Sequence, residues 1–134
     1  MSKNNPAVKE LLSISKLLPS VLVFGFTLIV YSITRMPTIG FVDGGELAHA
    51  VNSLTIPHPT GYPLFILLGR FWTMLSGVEP ANAIIWMNVL LGALTAGMVS
   101  SIIYKLASNI KINTTFAAIA GGVLYAFNPI IWQV

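Results

Sequence analysis

The chain has 134 residues, of which 55% are hydrophobic and only 8% charged, with a mean hydropathy of +0.81. Soluble domains carry about a quarter charged residues, so this chain lacks the polar side chains to cover a water-facing surface and belongs in lipid. The net charge of +3 comes from scattered basic residues beside apolar runs, which excludes a nucleic-acid footprint, and the absence of cysteine excludes disulfides, thiolate metal sites and a cysteine nucleophile.

Residues 1–16 contain Lys3, Lys9 and Lys16 and read as a cytoplasmic N-terminal segment. The run at 17–34, which opens "LLPSVLVFGFTLIVYSI", is long enough for a first transmembrane helix. It is long for a signal-peptide core, and "ITRMPTIG" offers no small-residue cleavage site, so it reads as an uncleaved anchor. Residues 35–82 then form an outer loop holding a short helix at 46–55 and a juxtamembrane helix at 63–75. The latter is apolar but short and contains Arg70, which suits an interfacial or re-entrant segment. Residues 83–106 read as a second transmembrane helix, 107–111 as a cytoplasmic turn, and 112–132 as a third transmembrane helix.

Charge asymmetry sets the orientation. If 63–75 does not cross, Lys105 and Lys111 return to the side of the N-terminal lysines, so the positive-inside rule favours three spans with a cytoplasmic N-terminus. Arg35 and Arg70 run against this count, but Arg35 can snorkel at a helix end. Small residues recur four apart as Ala93, Gly97 and Ser101, and as Ala118, Gly122 and Ala126. Such stripes let membrane helices approach closely, so an antiparallel hairpin of the last two spans is expected. Trp86 and Trp132 would join an outer aromatic belt. Asn113 begins a glycosylation sequon, which this topology places on the cytoplasmic side and so discounts. The chain stops at Val134 without a polar tail, and the expectation is a fragment of a larger polytopic protein.

The stretch "FVDGGELAHAVNSLTIPHPTGYPLF", Phe41 to Phe65, gathers two of the four acidic residues and both histidines. Asp43 and Glu46 have the spacing of a capping box, with an acceptor at the N-cap and a glutamate three residues on. The same spacing presents a carboxylate at the outer membrane face, where it can serve as general base or hold a cation. Gly44 and Gly45 leave room beside it. His49 and His58 lack metal-ligand spacing, so zinc is not expected, and a divalent cation at Asp43 is the one metal option. Pro57, Pro59 and Pro63 stiffen the turn around His58 and Tyr62. Arg70 is the strongest anion-binding candidate, because a guanidinium stays charged and forks onto phosphate oxygens. Its structural alternative is to snorkel or to pair with Glu79.

The order of parts resembles the N-terminal portion of GT-C glycosyltransferases, polytopic enzymes that use lipid-phosphate-linked sugars. More narrowly, "PTIGFVDGGELAHAVNSLTIPHPTGYPLFILLGRFW" is similar to bacterial and archaeal membrane proteins related to protein O-mannosyltransferases, densely over residues 37–72. The resemblance implies an all-α membrane protein, the start of a GT-C polytopic fold, multi-pass in the plasma membrane. It implies transfer of a sugar, mannose first, from a polyprenyl-phosphate donor to a hydroxyl on a protein or glycan acceptor at the outer side. Asp43 stands where the family places the acid that activates the acceptor, and Glu46 matches its second acid. His58 and Arg70 match positions near the lipid phosphate, and Tyr62 in the same turn joins them on the substrate-binding side. Many GT-C enzymes have Asp and Glu adjacent, whereas two glycines intervene here. No cofactor is required by this reading, and no nucleic-acid partner. The competing classes are part of a transporter, with Asp43, Glu46 and Arg70 lining a path, and a non-enzymatic structural membrane protein.

Overall fold

The computed structural model describes residues 6–38, 40, 43–59 and 61–131, with side chains from Lys16 onward. Lys3 and Trp132, and the side chain of Lys9, lie outside the described residues. Among the described residues the regular structure is all-helical: α1 (Pro6–Thr34), α2 (Gly44–Ser53), α3 (Pro63–Ser76), α4 (Pro80–Ala107) and α5 (Thr114–Ala126). Two helical stretches are long and apolar enough to cross a membrane, Lys16–Thr34 with mean hydropathy 2.0 and Pro80–Ala107 with 1.7.

The boundaries follow local chemistry. α1 begins at Pro6, well before the apolar run, because "AVKELLSISK" contains good helix formers and no breaker. α2 begins at Gly44 and ends at Ser53, where Leu54 turns left-handed at φ 52° and Pro57 follows. α3 starts on Pro63, whose fixed φ suits a first helical turn. It stops at Gly77 with φ 64°, whose N–H donates to the Thr73 carbonyl at 3.0 Å. α5 is capped by the Asn113 side chain, which accepts the Phe116 N–H at 3.1 Å.

The expected third span over 112–132 meets a helix of only 13 residues. That is about 20 Å of rise against a hydrocarbon core of about 30 Å. Pro129 explains the early end: it disfavours helical geometry at Asn128 and brings no N–H of its own. The Asn128 side chain instead accepts the Ile130 N–H at 2.9 Å in a tight turn.

Two compact units divide the chain, one from the described parts of Met1–Tyr31 and Leu91–Gln133, the other from Ser32–Leu90. In the first, both small-residue stripes are buried except Ser101, which is half-buried, and they meet different neighbours rather than each other. The α4 stripe lies against α1: a Cβ on Gly97 would meet Phe24 at 3.1 Å and the Ser20 carbonyl at 3.2 Å, and Ser101 donates to Ser20 at 2.7 Å. The α5 stripe lies against a neighbouring face of α4 and against α1, since a Cβ on Gly122 would come within 2.9 Å of both Ser100 and Val23. Tyr31, 1% exposed, donates from its hydroxyl to the Ala126 carbonyl at 2.6 Å and so satisfies one of the unpaired acceptors at the end of α5.

The second unit packs α2 on α3 and on the start of α4. Ala48, Ala50, Val51, Ile66, Ala81 and Ile84 form its core, flanked by Leu47 and Phe65. Gly69 is the point of closest approach, where an added Cβ would sit 2.7 Å from a Val51 methyl. Arg35, just past α1, holds its guanidinium 4.6 Å over the Trp86 ring, a cation–π contact at a helix end.

Candidate functional site

Asp43 occupies the N-cap position of α2, and its carbonyl accepts the Leu47 N–H at 2.9 Å. Its side chain, however, makes no capping bond. The capping box does not form because Glu46 is engaged elsewhere. Its carboxylate accepts the backbone N–H of His58 at 2.6 Å and the ring Nδ1–H at 2.8 Å. A chain reversal brings His58 there: Gly61 donates to the His58 carbonyl at 3.0 Å, with Pro59 at the second position of that turn. Gly61 itself is left-handed at φ 78°.

The two bonds make His58 and Glu46 a mutually stabilising pair. His58 holds the Glu46 carboxylate below its ordinary range, chiefly through the ring hydrogen bond, and Glu46 raises the imidazole in return. An ionised carboxylate only accepts, so Nδ1 carries a proton and Nε2 faces the other way. There it lies 3.9 Å from Asp43 Oδ2. Asp43, Glu46 and His58 each offer an atom within 4.8 Å of the others. This composition can take a proton or a divalent cation between Asp43 and His58, with Glu46 orienting the ring from behind. Asp43 remains the most open of the three, its side chain 57% exposed. A Cβ on Gly45 would meet nothing, so space beside the carboxylate is open.

Tyr62 joins this group through its ring, 5.7 Å edge-on to His58. It is held left-handed at φ 42° immediately before a proline, a strained backbone for a non-glycine residue. His49 is exposed on α2 and stays outside the cluster. Arg70 is not brought to the acids. Its Nη1 donates to the Asn52 carbonyl at 2.9 Å, among the unpaired acceptors at the C-terminal end of α2. Nor does it pair with Glu79, which accepts from Asn82 at 3.3 Å.

Next to Asp43 in the chain, Gly44 lines a cavity of about 190 Å³ with Thr38, Leu47, Phe65, Ile84 and Asn88. The cavity wall is not evident from the residues one by one. Its sequence signal is Asn88, an amide inside the apolar run from Ala83 to Leu94.

Helices long and apolar enough to cross a membrane, with a cluster of two acids and a histidine on the segment between them in sequence, define a protein of membrane type with a polar site. Residues 43–134 match the family described as Protein O-mannosyl-transferase TMEM260 N-terminal domain, and the chain belongs to that family. It is 30% identical over 115 residues to the Protein O-mannosyl-transferase tmem260 of Dictyostelium discoideum, covering 84% of this chain and 14% of that protein. It is 29% identical over 114 residues to the Protein O-mannosyl-transferase TMEM260 of Mus musculus, covering 85% of this chain and 16% of that protein. The chain thus spans only a small N-terminal-domain share of these relatives' length. No solved structure matches it.

Proposed function

We propose that the chain is the N-terminal part of a GT-C-type membrane glycosyltransferase that moves mannose from a polyprenyl-phosphate donor to a hydroxyl on a protein or glycan acceptor. The site faces the outer side of the plasma membrane, and the N-terminus is cytoplasmic. α1 and α4 cross the bilayer.

The supporting observation is the Asp43 carboxylate, which stands at a helix start without capping it and is left open toward solvent. Asp43 is the general base. As the acceptor oxygen attacks the anomeric carbon, its proton passes to Asp43 and the bond from that carbon to the phosphate oxygen breaks. The electron pair leaves with the polyprenyl phosphate. One displacement without a covalent intermediate inverts the anomeric centre.

His58, its imidazole raised by Glu46, supplies positive charge to the departing phosphate. Glu46 positions His58, and Tyr62 forms the wall beside it. Arg70 fixes the end of α2 through the Asn52 carbonyl and so supports the helix on which Glu46 stands. No metal step is needed in this mechanism.

The test uses the full-length protein in membranes with a labelled mannosyl phosphoprenol. Asp43→Asn is expected to lose about 10²–10⁴-fold in transfer at unchanged abundance. Transfer within a few-fold of wild type would remove Asp43 as the base. Solute uptake that depends on Asp43 without any sugar transfer would favour the transporter class.

A further inference from the structure

A second polar site lies within the other unit. A cavity of about 310 Å³ is lined by Lys16 and Leu17 of α1 and by Ser101, Tyr104, Lys105 and Ser108 of and just after α4. Lys16 is the first residue of the apolar stretch Lys16–Thr34, and Lys105 stands in the last turn of Pro80–Ala107. The shared cavity puts both at the same end of the two apolar stretches, at the depth where hydrocarbon gives way to headgroups. Both side chains are exposed. Among the described residues the ion pairs are those of His58, so neither lysine pairs with a described acid.

The hydroxyls around them are partly committed. Ser101 donates to Ser20 at 2.7 Å and Ser108 donates to the Lys105 carbonyl at 2.6 Å. The donors left for a ligand are the two ammonium groups and the Tyr104 hydroxyl, a set suited to phosphate oxygens rather than to a cation or a sugar. Exposed apolar side chains border them: Leu17, Val21, Ile102 and Leu106 are each more than half exposed. A ligand with a phosphate head and an acyl tail meets both surfaces.

We infer that this cavity binds the headgroup phosphate of an anionic phospholipid, its acyl chain lying along the apolar faces of α1 and α4. The site is independent of the sugar-transfer reading and concerns how the chain is seated in its membrane. Each lysine contributes about fivefold to binding at such a surface, so the pair contributes roughly 25-fold.

The experiment is native mass spectrometry of the detergent-purified full-length protein, titrated with phosphatidylglycerol or phosphatidylcholine. Wild type is expected to retain phosphatidylglycerol selectively, and the double variant Lys16→Gln with Lys105→Gln to need about 25-fold more lipid. The arginine pair, Lys16→Arg with Lys105→Arg, keeps selectivity and shows that the helices still pack. Equal retention by wild type and the glutamine pair overturns the inference, as does equal retention of phosphatidylcholine. Displacement of the lipid by millimolar inorganic phosphate also overturns it, by assigning the cavity to a soluble anion.

Discussion

Replacing Gly69 by alanine adds one methyl where α2 meets α3. The new Cβ would lie 2.7 and 3.3 Å from the two Val51 methyls and 3.7 Å from Ile84. Val51 is fully buried, so its methyls have little room to withdraw. Two terms oppose one another. Alanine improves helix propensity over glycine by roughly 1 kcal/mol, and overpacking costs about 1–3 kcal/mol. With the clash near 2 kcal/mol, Gly69→Ala destabilises by about 1 kcal/mol. Val51→Ala by itself removes two buried methyls, a loss of about 1.5–3 kcal/mol. In that background the clash disappears while the propensity gain remains, so Gly69→Ala then stabilises by about 1 kcal/mol. The sign therefore reverses, with a coupling of about 2 kcal/mol, inside the range expected for residues in contact. Thermal unfolding of the four full-length variants reads the cycle, and hydrogen exchange of α2 localises it. The same sign in both backgrounds would refute the proposed crossing of α2 and α3, and with it the support on which Asp43 and Glu46 stand.

The Glu46–His58 pair predicts a pH window. Glu46, held below its ordinary 4.5, contributes stability above that value and loses it as pH falls through the lowered one. His58, raised above 6.5, contributes below that value and loses it as pH rises through the raised one. Wild type minus Glu46→Gln should therefore differ most at mildly acidic pH, and His58 should titrate lower in the variant by NMR. An unchanged His58 titration would contradict the bond. Tyr31→Phe leaves the Ala126 carbonyl without its 2.6 Å donor in a buried setting, a cost of about 1–3 kcal/mol, read as a lower thermal midpoint. A neutral result there would mean that α5 is not tied to α1 through this hydroxyl.

Composition and long apolar runs were enough for the all-helical class and for the two helices of membrane length, because both are properties of consecutive residues. Proline at 63 and glycine at 77 are equally local signals, and α3 lies between them. What depends on distant partners was not readable. The Asp-x-x-Glu spacing fits a capping box, yet Glu46 bonds a residue 12 positions away because the proline turn delivers two N–H groups to it. Arg70 could be singled out as a cation but not assigned to Asn52, a carbonyl exposed only once α2 ends where it does. The small stripes announced close packing of the last two helices but not that the α4 stripe would meet α1 while α5 takes a neighbouring face of α4. Asp43, Glu46 and His58 were each marked by residue type, whereas their grouping within 4.8 Å is a product of the turn.

Glu46 grips one residue at two points, a main-chain amide and a ring nitrogen. The same carboxylate thus fastens the proline-rich reversal to α2 while tuning the imidazole, so architecture and reactivity share a single side chain. A substitution at 46 would loosen the hinge of the loop as well as alter its charge. Impaired variants at that position would report both defects at once, and only changes at 43, which holds no comparable fastening, can isolate the chemical step.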